Sequence, residues 1–217
     1  MIATVIFDFD GTIINTNSLI KEGLNLIANK HRGCPLTPME LEILTGKTLE
    51  AQMAYIDAIH FEGLVAEFKR WYERNHDIMA RPFPGMVHLI RVLNELGYKI
   101  GIVTNNSRIA LDKGLKLLAI DQWVDCSITR DDVKETKPSP EGILKALSIL
   151  GMEPEQALFI GDTAHDIVAA KAANVSSALV GWSQLSAEKK VQVKPDHTLE
   201  SAEKVLDIII DANYEVA

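Results

Sequence analysis

Four short segments carry polar residues able to do chemistry together. Asp8 and Asp10 stand two apart in DFDGTI, Thr104 and Asn105 are adjacent in IVTNNS, Lys137 leads KPSPEG, and Asp162 and Asp166 lie four apart in GDTAHD. Side chains two apart on an extended segment point the same way, so both carboxylates of DFDGTI can serve one site. Each segment has an ordinary reading by itself: a polar turn, a helix cap, a solvated loop lysine. It is their joint occurrence, in this order, that calls for an explanation. Several carboxylates gathered in one place repel one another unless a cation joins them. An oxygen-only ligand set of this kind suits Mg²⁺, which keeps some of its waters and bridges to phosphate.

The surrounding sequence supplies elements that could bring the four segments together. Ala3–Phe7 (ATVIF) is a continuous apolar run without alternation, as expected of a strand buried on both faces, and it ends at Asp8. Similar runs recur at Lys99–Val103, Ala157–Ile160 and Ser176–Val180. Between them, His88–Leu96, Ile109–Leu118 and Glu141–Leu150 carry apolar residues at helical spacing, and Gly97 and Gly151 stop the first and last. Strands alternating with helices predict a doubly wound, parallel α/β sheet of the Rossmann-like kind. In such a sheet ligands bind outside the carboxyl ends of the strands, which is where three of the four polar segments fall. Lys137 could reach that edge from a loop.

Residues 17–80 break the rhythm and show only helical patterns. Thr37 and Glu40 form a capping box with Pro38 in the first turn, and a long amphipathic stretch runs from Phe61 to Met79. The expected organisation is therefore an α/β core of residues 1–15 and 83–217 with an all-helical insertion at 16–82. Gly46-Lys47-Thr48 resembles the end of a phosphate-binding P-loop, but position 41 is Leu where that motif needs Gly, so a turn opening a helix near Leu49 is the better reading.

The bulk numbers fit a compact protein: 217 residues, 47% hydrophobic and 24% charged. A net charge of -8 and a pI near 5.3 disfavour non-specific nucleic-acid or anionic-membrane binding. Two distant cysteines, Cys34 and Cys126, do not make a disulfide framework, and no leader-like or membrane-length apolar segment is evident. The expectation is a soluble, cytoplasmic protein.

Taken together, DFDGT, Thr104, Lys137 and GDTAHD resemble the four motifs of the haloacid dehalogenase-like hydrolase superfamily, specifically its phosphatases with a helical cap after the first motif. The resemblance implies that Asp8 is the nucleophile, forming an aspartyl-phosphate, and that Asp10 is the acid and then the base. It implies Mg²⁺ held by Asp8, the carbonyl of Asp10, and Asp162, with Asp166 ligating directly or through water. Thr104, Asn105 and Lys137 would hold the phosphoryl group, and Lys47, in a cap loop, would touch substrate. The expected substrate is a small phosphorylated metabolite and the expected state a monomer or weak dimer. The overall pattern is similar to phosphoglycolate phosphatases. Ile14–Ile20 and the stretch Leu111–Val133 are closer to the bacterial pyrophosphatases of the same branch. A sugar-phosphate mutase keeps all four motifs and is a further alternative. A non-catalytic binding protein fits the intact motifs less well.

Overall fold

An unalternating run such as TVIF must be covered on both sides, and all four residues of Thr4–Phe7 are buried. The computed structural model describes residues 1–214. Along the chain the elements are β1 (Thr4–Phe7), β2 (Ile14–Asn15), then the helices α1 (Asn17–Arg32), α2 (Pro38–Leu44), α3 (Leu49–Ile56) and α4 (Phe61–Met79). There follow β3 (Arg81–Pro82), α5 (Met86–Glu95), β4 (Lys99–Val103), α6 (Arg108–Leu118), β5 (Cys126–Ile128) and α7 (Glu141–Leu150). The chain continues through β6 (Ala157–Gly161), α8 (Ala164–Ala172), β7 (Ser176–Val180), α9 (Ala187–Val193), β8 (His197–Leu199) and α10 (Lys204–Tyr214). These elements gather into two compact units, one of residues 1–14 with 82 onward and the other of Asn15–Arg81.

The first unit is built on a six-stranded sheet in the order β5-β4-β1-β6-β7-β8, parallel at every junction. From β1 the chain fills one side with β4 and β5, then returns to fill the other, so its direction of travel reverses beside β1. Such a reversal leaves a crevice at the carboxyl edge of a parallel sheet. Register fixes what lines it. Phe7 stands opposite both Ile102 and Ile160, so Asp8, Thr104 and Asp162 all emerge just past the same edge. On one face Ile6, Val103 and Phe159 share a cluster with Ile143, Ala146 and Leu147 of α7 and with Ala169 and Ala170 of α8. Alternation turns Val5 and Phe7 to the other face, and both are fully buried, so helices cover that side as well.

The Asn15–Arg81 unit has its own core, with Leu19, Leu24 and Ile27 of α1 packed with Leu44, Met53, Leu64 and Phe68. Thr37 and Glu40 close the expected capping box at the start of α2. Gly46 takes a left-handed φ of 77°, and the hydroxyl of Thr48 caps α3, so the Gly46–Thr48 segment is a helix-opening turn. The two edge strands β5 and β8 lie outside the runs picked out by sequence, being three residues each and partly polar. The last helix of the described residues runs from Lys204 to Tyr214. Among the described residues no helix is long and apolar enough to cross a membrane.

Candidate active site

Asp8 is the first residue beyond β1, held there because its backbone N–H donates to the carbonyl of Ile160 at 2.8 Å. The chain turns immediately afterwards at Gly11, with φ of 87°; a Cβ there would come within 2.3 Å of Asp162 Oδ2, so only glycine fits. The Gly11 carbonyl accepts a hydrogen bond from Trp182 Nε1 at 3.0 Å. Thr12 follows, fully buried, with its hydroxyl 3.4 Å from both Asp8 Oδ2 and Asp162 Oδ1.

Lys137 reaches this edge from the loop before α7. Its buried ammonium donates to Asp8 Oδ1 at 2.5 Å, Asp166 Oδ1 at 2.6 Å and the Val103 carbonyl at 2.8 Å, which uses all three of its hydrogens. It also lies 5.5 Å from the centre of the Phe159 ring. Asp166 is fixed from the other direction. As the third residue of α8 it accepts from the backbone N–H and the hydroxyl of Thr163, both through Oδ2, completing a helix-capping box. Both of its oxygens are therefore engaged.

Asp8, Asp162 and Asp166 bring carboxylate oxygens within 4.8 Å of one another, and all three residues are buried. Burial pushes Asp8 up to about 7; the Lys137 ammonium opposes this and the carboxylate of Asp166 adds to it. Burial, reinforced by Asp8 and Asp166, raises Asp162 well above the usual carboxylate range. For Lys137, burial alone would favour the neutral amine, but Asp166 and Asp8 outweigh it and hold the group charged. One ammonium thus faces three buried acids, which leaves an excess of negative charge. A divalent cation would supply the missing charge, and hard carboxylate donors are what Mg²⁺ prefers, so the residues present fit that ion.

The remaining sequence-predicted residues divide. Thr104 is buried beyond β4, and its hydroxyl accepts from the N–H of Asn106 at 3.1 Å. Asn105 turns its amide to the backbone of Lys137. Its Oδ1 accepts from the Lys137 N–H and its Nδ2 donates to the Lys137 carbonyl, both at 2.9 Å, so it anchors the loop that delivers the ammonium. Asp10 is half-buried, and one of its oxygens accepts from Asn106 Nδ2 at 3.0 Å. Lys47 belongs to the other unit, exposed in the turn between α2 and α3. Sequence reasoning passed over Thr12, Asn106 and Thr163. Thr163 was within reach, since Thr-x-x-Asp at a strand-to-helix junction is a capping signature.

The profile of haloacid dehalogenase-like hydrolases matches residues 5–180 of this chain. Among curated relatives, pyrophosphatase PpaX of Bacillus cereus (strain AH820) is 35% identical over 214 residues, covering 98% of each chain. Among solved structures, a candidate haloacid dehalogenase-like hydrolase from Bacteroides fragilis superposes with a TM-score of 0.86 at 26% identity, over 94% of this chain and 100% of the other. A candidate phosphoglycolate phosphatase from Lactobacillus plantarum gives 0.83 at 26% identity, over 95% and 99%.

Proposed function

The chain belongs to the haloacid dehalogenase-like hydrolase family, and from that premise we propose that it is a Mg²⁺-dependent phosphohydrolase using Asp8 as its nucleophile. A carboxylate oxygen of Asp8 bonds to phosphorus while the bond from phosphorus to the leaving oxygen breaks. Asp10 gives its proton to that leaving oxygen. Water then adds to the phosphorus of the aspartyl-phosphate, Asp10 takes a proton from it, and Asp8 departs as carboxylate with inorganic phosphate. Thr104 and Lys137 steady the phosphoryl oxygens, where charge is greatest. Asp8, Asp162 and the carbonyl of Asp10 would hold Mg²⁺, with Asp166 acting through a water because its oxygens already serve Lys137 and Thr163. The ion's contribution is to offset the charge that keeps an anionic nucleophile from an anionic substrate.

The observation that carries this reading is the buried group of Asp8, Asp162 and Asp166, set against the single ammonium of Lys137. The substrate proposed is a small phosphate ester of the phosphoglycolate type. Inorganic pyrophosphate is a second reading, favoured by the end-to-end match to a relative named pyrophosphatase. Phosphoglycolate, sugar phosphates, nucleotides and pyrophosphate should be assayed with Mg²⁺ and with chelator, alongside Asp8→Asn. Turnover that depends on the metal and vanishes in the variant is expected, and the ranking of kcat/KM selects the substrate. Activity persisting in both chelator and Asp8→Asn would overturn the mechanism.

A further inference from the structure

We infer that Asn106 is a positioning residue that orients the carboxyl of Asp10, the proposed proton donor. The inference rests on the acid and base role proposed for Asp10.

Three contacts fix Asn106. Its backbone N–H donates to Thr104 Oγ1 at 3.1 Å, and its carbonyl accepts from the Arg130 N–H at 3.1 Å. Its side-chain Oδ1 accepts from the N–H of Ser107 at 2.9 Å. That last contact settles the orientation of the amide: the atom facing a backbone N–H must be the oxygen, so the atom facing Asp10 must be the nitrogen. Nδ2 then donates to Asp10 Oδ2 at 3.0 Å. The Asp10 carboxyl is thereby held with Oδ2 turned to Asn106. A carboxyl that is not held samples several rotamers, only some of which point at a leaving group. Holding one arrangement removes that ambiguity before substrate arrives, a gain of orientation rather than of affinity.

The same residue ties the acid to the phosphate side of the site. Thr104, proposed to hold the phosphoryl group, receives the Asn106 N–H, so the chain segment Thr104–Asn106 fixes the distance between phosphoryl ligand and proton donor. Asn105, between them, faces Lys137 instead. Three consecutive residues thus address three different groups.

Leaving-group dependence tests the inference. 2,4-Dinitrophenyl phosphate releases a phenolate that needs no proton, whereas phenyl phosphate releases one that does. For Asn106→Ala, and for Asn106→Ser as a milder variant, kcat/KM on phenyl phosphate, which reports the steps up to departure of the leaving group, should fall about 10- to 100-fold, part of the ~10²–10⁴ that general acid catalysis contributes. On the dinitrophenyl ester the loss in kcat/KM should stay below about threefold, since transfer to Asp8 no longer needs the acid. Asp10→Asn should show the same selectivity more strongly, and adding Asn106→Ala to it should cost nothing further on phenyl phosphate. Equal losses on both esters, or no loss on either, in the Asn106 variants would overturn the inference while a selective Asp10→Asn leaves the acid role standing. An Asp10→Asn variant that shows no leaving-group selectivity would instead remove the acid role itself.

Discussion

The ammonium of Lys137 is ion-paired to both Asp8 and Asp166, and like them it is buried. Removing one partner of a buried ion pair is far more damaging than replacing the whole set, because the remaining charge stays desolvated. Lys137→Met should therefore lower stability in chelator by about 3–5 kcal/mol, read from urea unfolding, and abolish turnover. A loss below about 1 kcal/mol would mean that Asp8 and Asp166 do not depend on the lysine for their charge. At this scale the sequence revealed residue types better than directions. Asp8, Lys137 and Asp162 stand out because a carboxylate or ammonium at the end of a buried run needs a reason to be there. Asn105 and Asn106 are chemically identical neighbours in a turn, and spacing alone does not say which faces Lys137 and which faces Asp10. Thr12 was hidden for another reason: its partners, Asp8 and Asp162, are 4 and 150 residues away, and only the parallel register brings the second one in.

Elements set the precision of these contacts, and α6 shows how. Gly114 lies in the middle of that helix, where alanine would ordinarily gain about 1 kcal/mol in helix propensity. A Cβ at this position would stand 2.4 Å from Cε1 and 2.7 Å from Cζ of Phe9, a core ring with 2% of its surface exposed. Forcing extra volume into a packed core costs about 1–3 kcal/mol, so the clash outweighs the propensity. Gly114→Ala should be net destabilising by up to about 2 kcal/mol, and because Phe9 separates Asp8 from Asp10, kcat should fall with it. A variant more stable than the parent in urea, with unchanged kcat, would show that the ring has room to move. The long elements were legible in the sequence: four unalternating runs became β1, β4, β6 and β7, and the apolar spacing of Glu141–Leu150 became α7. What escaped were β5 and β8, in which Ser127 and Thr198 interrupt runs already only three residues long. Such edge strands are defined by the neighbour they pair with, so their own residues carry little pattern.

For the molecule as a whole, an anion-rich site is a standing burden on the fold. Asp162 is buried beside Asp8 and Asp166, and its carboxyl is raised well above the ordinary range by burial first and by those two neighbours next. A raised carboxyl stabilises the folded state below its unfolded value of 3.8, and that contribution is lost as pH rises through the folded value. In metal-free protein at pH 8 Asp162 is thus a destabilising group, which a bound cation would offset. Asp162→Asn preserves the side-chain shape and an acceptor for Thr12 while removing the charge. In chelator at pH 8 the variant should be more stable than the parent by about 1–2 kcal/mol, or roughly 3–6 °C in Tm for a protein of this size. The difference should shrink as pH falls toward the unfolded value, where the parent is neutral at this position too. Saturating Mg²⁺ should reverse the order, because the parent gains stability from the bound ion by mass action and the variant lacks a ligand for it. Differential scanning calorimetry at two pH values, with chelator and with Mg²⁺, reads all of these arms. A variant less stable than the parent in chelator at pH 8, or one stabilised by Mg²⁺ as much as the parent is, would show that Asp162 neither strains the empty fold nor holds the ion.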